Sequence, residues 1–342
     1  MKSILAIGIG TVMLAVGADA SADSTFAHGY EFLPVRDAGN APYGYWHPDT
    51  NEYIELYGGV NHEYRISSTP TTATQWAAFL TDFATAFGSA PVAGTSLNQL
   101  RGSLTVPGGS GFVPFPGYEQ QPINTPWRGA AIYCNWLHHG KTSDPEKLLV
   151  GAYDATTFGN DGPFTPTDQY TTLPGAKFWI PTRDEYAKAA YYDPNRHGEG
   201  QGGYWMYPDA SDTPLIPGLP EEGGETNGFS WGFDDYRLPV GSYPDVQSAY
   251  GMLDVSGGVS EWTSSEDINR WLYFKRSNGG TDYSMTIIFD QLQEQFRGST
   301  LPSGWSGFRI VTHIPSPASI VALGFLPAAI CVRRHRIFKR SF

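Results

Sequence analysis

Cysteine is nearly absent from this chain of 342 residues: it has two, Cys134 and Cys331. Cys331 lies in an apolar run near the C-terminus, so the central domain holds one thiol and no internal disulfide. Two cysteines also exclude paired-cysteine zinc spacings. Basic residues are scarce, 22 against 34 acidic, for a net charge of −12. That balance argues against nucleic acid and anionic membrane as partners. There is no G-x-x-x-x-G-K-[ST] loop, no G-x-S-x-G elbow and no H-E-x-x-H, so nucleotide, lipase-like and zincin machinery are unsupported. Long periodic stretches are few as well. Gly (40) and Pro (26) are abundant instead, and a chain punctuated so often must be rich in loops and turns.

The two ends are of a different kind. Lys2, the apolar run Ile4 to Val16, and the Ala18-Asp19-Ala20 and Ala20-Ser21-Ala22 motifs predict a secretory signal over residues 1–22. At the other end, Ile314-Pro315-Ser316-Pro317 precedes the apolar run Ala318 to Val332. Arg333, Arg334, His335, Arg336, Lys339 and Arg340 follow. The run is shorter than the roughly twenty residues a relaxed span needs, and the basic cluster behind it favours the cytoplasmic side. This order resembles the PEP-CTERM sorting tail, with Pro-Ser-Pro where that family usually has Pro-Glu-Pro. The resemblance implies export to the cell envelope or surface, and cleavage near Pro315 to Pro317 by an exosortase-type protease. A permanent C-terminal anchor over 314–342 is the alternative. Between the ends, residues 25–312 form one domain, long enough for a large core without disulfides.

Three helices stand out. Thr74 to Phe87 places Trp76, Phe79, Leu80, Phe83 and Phe87 at helical spacing. Pro126 to His138 is the second, with Pro126 expected in its first turn. Thr182 to Tyr192 is the third; Thr182 with Glu185 three on is a capping box. Strands are expected at Glu63 to Ile66, Lys177 to Ile180 and Gly307 to Thr312. Gly102 to Gly117 and Gly198 to Gly228 read as long irregular loops. Cys134, amid apolar residues, reads as a buried thiol.

Several segments resemble one family in order along the chain. They are PINTPWRGAAIYCNWLHHG (122–140), FWIPTRDEYAKAAYYDP (178–194), GMLDVSGGVSEWTS (251–264) and GFRIV (307–311), with a looser match over Tyr64 to Leu80. The family is that of the formylglycine-generating enzymes, or sulfatase-modifying factors. AAYYDPN and GGYWMYP, between Ala189 and Pro208, resemble its subgroup with PEP-CTERM-like tails. The resemblance implies an irregular α+β fold related to the C-type lectins, with few short helices and strands and many long loops.

In the family's oxidases two cysteines near the C-terminus bind copper and oxidise a client cysteine. The corresponding stretch here, Arg276 to Arg297, has no Cys and no His. Copper(I) selects soft thiolates, so no copper is expected. Calcium is expected, because Asp254, Gly257, Val259 and Glu261 match in type the family's ligands for one ion. Asn227 and Asp234 are the nearest candidates for a second ion, with Asp235 competing. The residues themselves allow another reading, in which Glu261 partners an arginine or a backbone amide. Tyr250, Met252, Leu253, Val255, Val259 and Trp262 are expected in the core. Trp205, Tyr207, Trp231 and Tyr236 are either core or a sugar-stacking platform. The reading that results is a binding or accessory protein for a protein or glycan partner at the cell surface. Its rivals are a true formylglycine-generating oxidase and an enzyme with an unrecognised site on the same scaffold.

Overall fold

A computed structural model describes residues 24–46, 49–90, 92–93, 95–101, 104–227, 238–266, 272–275, 292, 296–300, 302 and 306–314. The expected signal (1–22), the tail beyond residue 314, and Asp234, Asp235, Trp231 and Tyr236 lie outside them. Among the described residues, no helix is long and apolar enough to cross a membrane.

The main sheet is antiparallel throughout. Its order is β1 (Thr25–Ala27), β2 (Tyr30–Val35), β5 (Tyr64–Ser67), β14 (Val311–His313) and β8 (Phe178–Trp179). Strand β14, the last among the described residues, therefore sits inside the sheet, between β5 and β8. Three hairpins flank it: β3 (Tyr43–Trp46) with β4 (Tyr53–Tyr57), β6 (Thr105–Gly108) with β7 (Gly111–Pro114), and β9 (Tyr192–Asp193) with β10 (Gly203–Tyr204). A three-stranded sheet comprises β11 (Glu261–Glu266), β12 (Leu272–Lys275) and β13 (Phe296–Thr300). The helices are α1 (Ala73–Phe87), α2 (Leu97–Arg101), α3 (Trp127–His138), α4 (Pro145–Leu149) and α5 (Arg183–Tyr191). This is the expected α+β architecture of short elements and long loops.

The expected helices form within a residue or two of their predicted bounds. Thr72 caps α1 in a box with Gln75, and Thr182 caps α5 in a box with Glu185. Pro126 takes the N-cap position of α3, one residue earlier than the first turn assigned to it. Residues Trp127 to Leu137 of α3 are all buried, so this helix is the core's centre, apolar on nearly every side. Tyr133 stacks on Trp76 with centroids 5.5 Å apart and meets Phe79 and Phe308 edge-on at 5.4 Å. Its hydroxyl shares a 2.9 Å hydrogen bond with that of Tyr30, which satisfies both buried phenols. Arg128 leaves the same helix to grip buried Asp168 through Nε (2.6 Å) and Nη2 (2.8 Å).

Three expectations need correction. The tract Gly102 to Gly117 is the β6–β7 hairpin, against which α1 packs; Phe112 N–H donates to Thr81 Oγ1 at 2.9 Å. Its strands hold Pro107 and Pro114, which masked the Val106–Val113 pair. Leu253 and Val259 are only half-buried, unlike Tyr250, Met252, Val255 and Trp262. The strand expected at Gly307 starts at Val311, because the ladder is irregular before it: Phe308 O accepts from Thr71 N–H in a loop, and Ile310 N–H meets the Ser67 side chain (Oγ, 3.2 Å) instead of a strand carbonyl.

Glu185 does more than cap α5. It is buried, and besides the Thr182 N–H (2.8 Å) it accepts from Trp179 Nε1 (3.2 Å) and meets His62 Nε2 at 2.8 Å. The bond to Glu185 raises the His62 pKa against the opposing effects of burial and Lys188. A raised folded pKa means the contact contributes stability below the unfolded histidine value, about 6.5, and loses it as pH rises through the folded value. The melting-temperature gap between wild type and His62→Gln should therefore be widest in mild acid and shrink on going alkaline. A gap independent of pH would show that the imidazolium form contributes nothing.

Candidate functional site

The loop before β11 runs Gly251 to Ser260 and turns through left-handed backbone at Gly251 (φ 88°), Asp254 (φ 55°), Gly257 (φ 69°) and Gly258 (φ 61°). Glycine adopts such angles freely, and Asp is among the few other residues that tolerate them. The turn swings the carboxylates of Asp254 and Glu261 to different surroundings.

Glu261 is wholly buried, and so is Arg309. Arg309 Nε donates to Glu261 Oε2 at 2.8 Å, while the Tyr186 hydroxyl donates to Oε1 at 2.9 Å. The remaining guanidinium donors go to backbone: Nη1 to Ser68 O (2.6 Å) and Nη2 to Leu253 O (2.5 Å). Burial pulls the Arg309 pKa down, but Glu261, Tyr186 and Asp254 more than reverse it. Burial, with Glu261 adding to it, pushes the Tyr186 phenol far up, so it stays a donor. The cost of burying Glu261 is thus met by an arginine and a phenol.

Asp254 lies apart. Its Oδ2 accepts from Gly241 N–H at 2.7 Å, and Asn227 Oδ1 accepts from Gly258 N–H at 2.8 Å. Asn227, Asp254, Ser256, Gly258 and Val259 line one cavity of about 20 Å³, room for about one water. Glu261 is not on its wall. The structure therefore groups Asn227 with Asp254, where sequence assigned them to different ions, and puts Glu261 with Arg309. Among the described residues no three His, Cys, Asp or Glu side chains gather to hold a metal ion. A cation at this cavity would rest on Asp254, Asn227 and carbonyls of the turn, such as those expected from Gly257 and Val259. That oxygen-only set suits calcium in chemistry.

The remaining candidates separate cleanly. Cys134 is fully buried and burial drives its thiol pKa well up. Tyr207 is buried and offers no ring face; Trp205 is half-buried, with its Nε1 donating to Asp193 Oδ2 at 3.1 Å and Arg196 over its ring. His138 and His139 are engaged separately, with Lys177 N–H and Val150 O.

Residues 49–314 match the sulfatase-modifying factor enzyme 1-like domain. The chain belongs to that family. Among solved structures it is similar to CarF (TM-score 0.47, 18% identity, covering 84% of this chain and 99% of that one). It is also similar to Treponema denticola variable protein 1 (0.46, 15%, 85% and 99%) and to PvdO from Pseudomonas aeruginosa (0.44, 15%, 84% and 95%). No curated protein matches the chain.

Sequence reasoning alone did not find the Tyr186–Glu261–Arg309 cluster as a unit. Its signal was present: a Glu in a Gly-rich turn and an Arg amid the apolar residues Phe308, Ile310 and Val311 each need a partner. Removing one partner of a buried pair strands the other, at about 3–5 kcal/mol. Glu261→Gln and Arg309→Met should each destabilise on that scale in denaturant melts. The double variant should lose less than the sum, by at least about 1 kcal/mol. Strict additivity would show that the two side chains are not coupled.

Proposed function

We propose that this family member is a binding or accessory protein and not a copper oxidase. The observation that carries this reading concerns thiols. Arg276 to Arg297 holds no Cys and no His, and the domain's one thiol, Cys134, is sealed in α3 with its pKa driven up. Copper(I) in such a site needs accessible thiolate. The family fold hosts more than one kind of site, so membership alone does not restore the oxidation. The signal-like residues 1–22 and the tail 314–342 support export and surface display, with removal of the tail by an exosortase-type protease. The partner would be a protein or a glycan of that surface; the acidic balance disfavours nucleic acid.

The oxidase alternative is tested directly. Protein purified, loaded with copper, and given oxygen with a cysteine peptide from a sulfatase should form no formylglycine above background by mass spectrometry. Turnover that persists after repurification and metal exchange would overturn the reading.

Calcium is part of the same proposal, held at the cavity of Asn227 and Asp254. What supports it is that Asn227 and Asp254 meet on the wall of one small cavity that carries no Lys or Arg. Binding to the folded state alone stabilises by about 2.7 kcal/mol at a hundredfold excess over Kd. Calcium should then raise the melting temperature over chelator by about 2 °C or more. Asp254→Asn keeps the left-handed turn and should abolish the shift, whereas Glu261→Gln should keep it on a lower baseline. A shift lost in Glu261→Gln and kept in Asp254→Asn would move the ion to Glu261. No shift in wild type would remove calcium altogether.

A further inference from the structure

The β3–β4 hairpin carries aromatic surface that the proposed function has not yet used. Its register pairs Trp46 with Tyr53 and Gly44 with Glu55. Side chains alternate along a strand, so Trp46, Tyr53 and Glu55 share one face with Gly44. Trp46 is 64% and Tyr53 43% exposed. Their rings meet at 62° with centroids 5.5 Å apart, forming a corner of two ring faces. Gly44 positions that corner: a Cβ there would lie 2.9 Å from Tyr53 Cζ, so the ring lies across the glycine.

Beyond a register shift between Gly44 and Tyr43, the Arg183 guanidinium sits 5.0 Å from the Tyr57 ring centroid and 4.6 Å from that of Tyr273. Arg183 Nη2 also donates to the strand carbonyl of Leu56 at 3.2 Å. At the outer end the aromatic corner faces solvent beside Glu55. From Tyr43 to Tyr57 the chain holds Asp49, Glu52 and Glu55 and no Lys or Arg, within a protein of net charge −12. Ring faces and carboxylates together attract organic cations. The hairpin is a two-stranded sheet, a form to which an extended segment can add by its edge while alternate side chains reach one face.

We infer that the Trp46–Tyr53–Glu55 face takes an arginine or lysine side chain from an extended basic segment of a partner polypeptide. This rests on the binding reading above and supplies the chemistry of the partner. Charge complementarity favours a basic polypeptide over a polysaccharide.

The test is fluorescence anisotropy at low ionic strength, with the exported domain and a labelled peptide of alternating arginine and glycine. Wild type should bind it, and should bind the glutamine analogue at least about tenfold more weakly. Trp46→Ala/Tyr53→Ala and Glu55→Gln should each weaken the arginine peptide, the aromatic pair by at least about tenfold. Tyr45→Ala, on the opposite face, should stay within about twofold of wild type. Melting temperatures of all variants check that they are folded. Absent binding, or equal binding by wild type and the aromatic double variant, would overturn the inference. So would a glucosamine oligosaccharide that binds through Trp46 and Tyr53 where the arginine peptide does not. Peptide failure without formylglycine turnover removes the hairpin site alone, whereas turnover removes the binding reading itself.

Discussion

The ion pair of Arg309 with Glu261 is the contact on which the rest of the domain converges. Both groups are wholly buried, where an unpaired charge is prohibitively costly. Neither can be placed unless several distant segments arrive together. Arg309 needs the carbonyl of Ser68 after β5 and that of Leu253 in the glycine turn. Glu261 needs Tyr186 from the middle of α5. The backbone repeats the arrangement: Trp262 N–H donates to Gly307 O, and Leu253 N–H to Ser68 O, both at 2.9 Å. Gly307 permits this approach, since a Cβ there would come within 2.5 Å of Val259. Such a pair contributes little net stability compared with an apolar substitute. Its effect is to admit a single arrangement of loops that hydrophobic burial alone would leave under-determined.

That clasp also separates the two carboxylates of the glycine turn. Glu261 is committed to Arg309, whereas Asp254 and Asn227 are on the wall of the small cavity. The scaffold so closed carries an acidic aromatic hairpin at its periphery. Its core thiol is shielded within α3, which is the observation on which the proposed binding role rests.

Much of the fold was legible in the sequence because its signals are local. The capping box at Thr182–Glu185 and the aromatic stripe of α1 need no distant partner to be read. The burial of Cys134 followed from its helical neighbours. Other features depend on contacts far apart in sequence. Glu185 meets His62 over 123 positions and Glu261 meets Arg309 over 48, and no spacing rule links such pairs. Lys188 reads as a surface residue of α5 yet is buried, with Nζ on Asp37 O at 2.8 Å and its pKa lowered to about 8 by desolvation. The β3–β4 hairpin did carry a signal, the alternation of Tyr53, Glu55 and Tyr57. The β6–β7 hairpin was hidden by prolines and glycines that usually mark loops.

Native-state hydrogen exchange tests the clasp most directly. If Arg309 and Glu261 join these segments into one cooperative unit, the amides of Ser67, Leu253, Trp262 and Ile310 should exchange only through a common opening. Their opening free energies should then be equal and respond to denaturant with the same slope. Distinct opening free energies for Leu253 and Trp262, with shallow denaturant dependence, would show that the turn and β11 open independently, and would contradict the account.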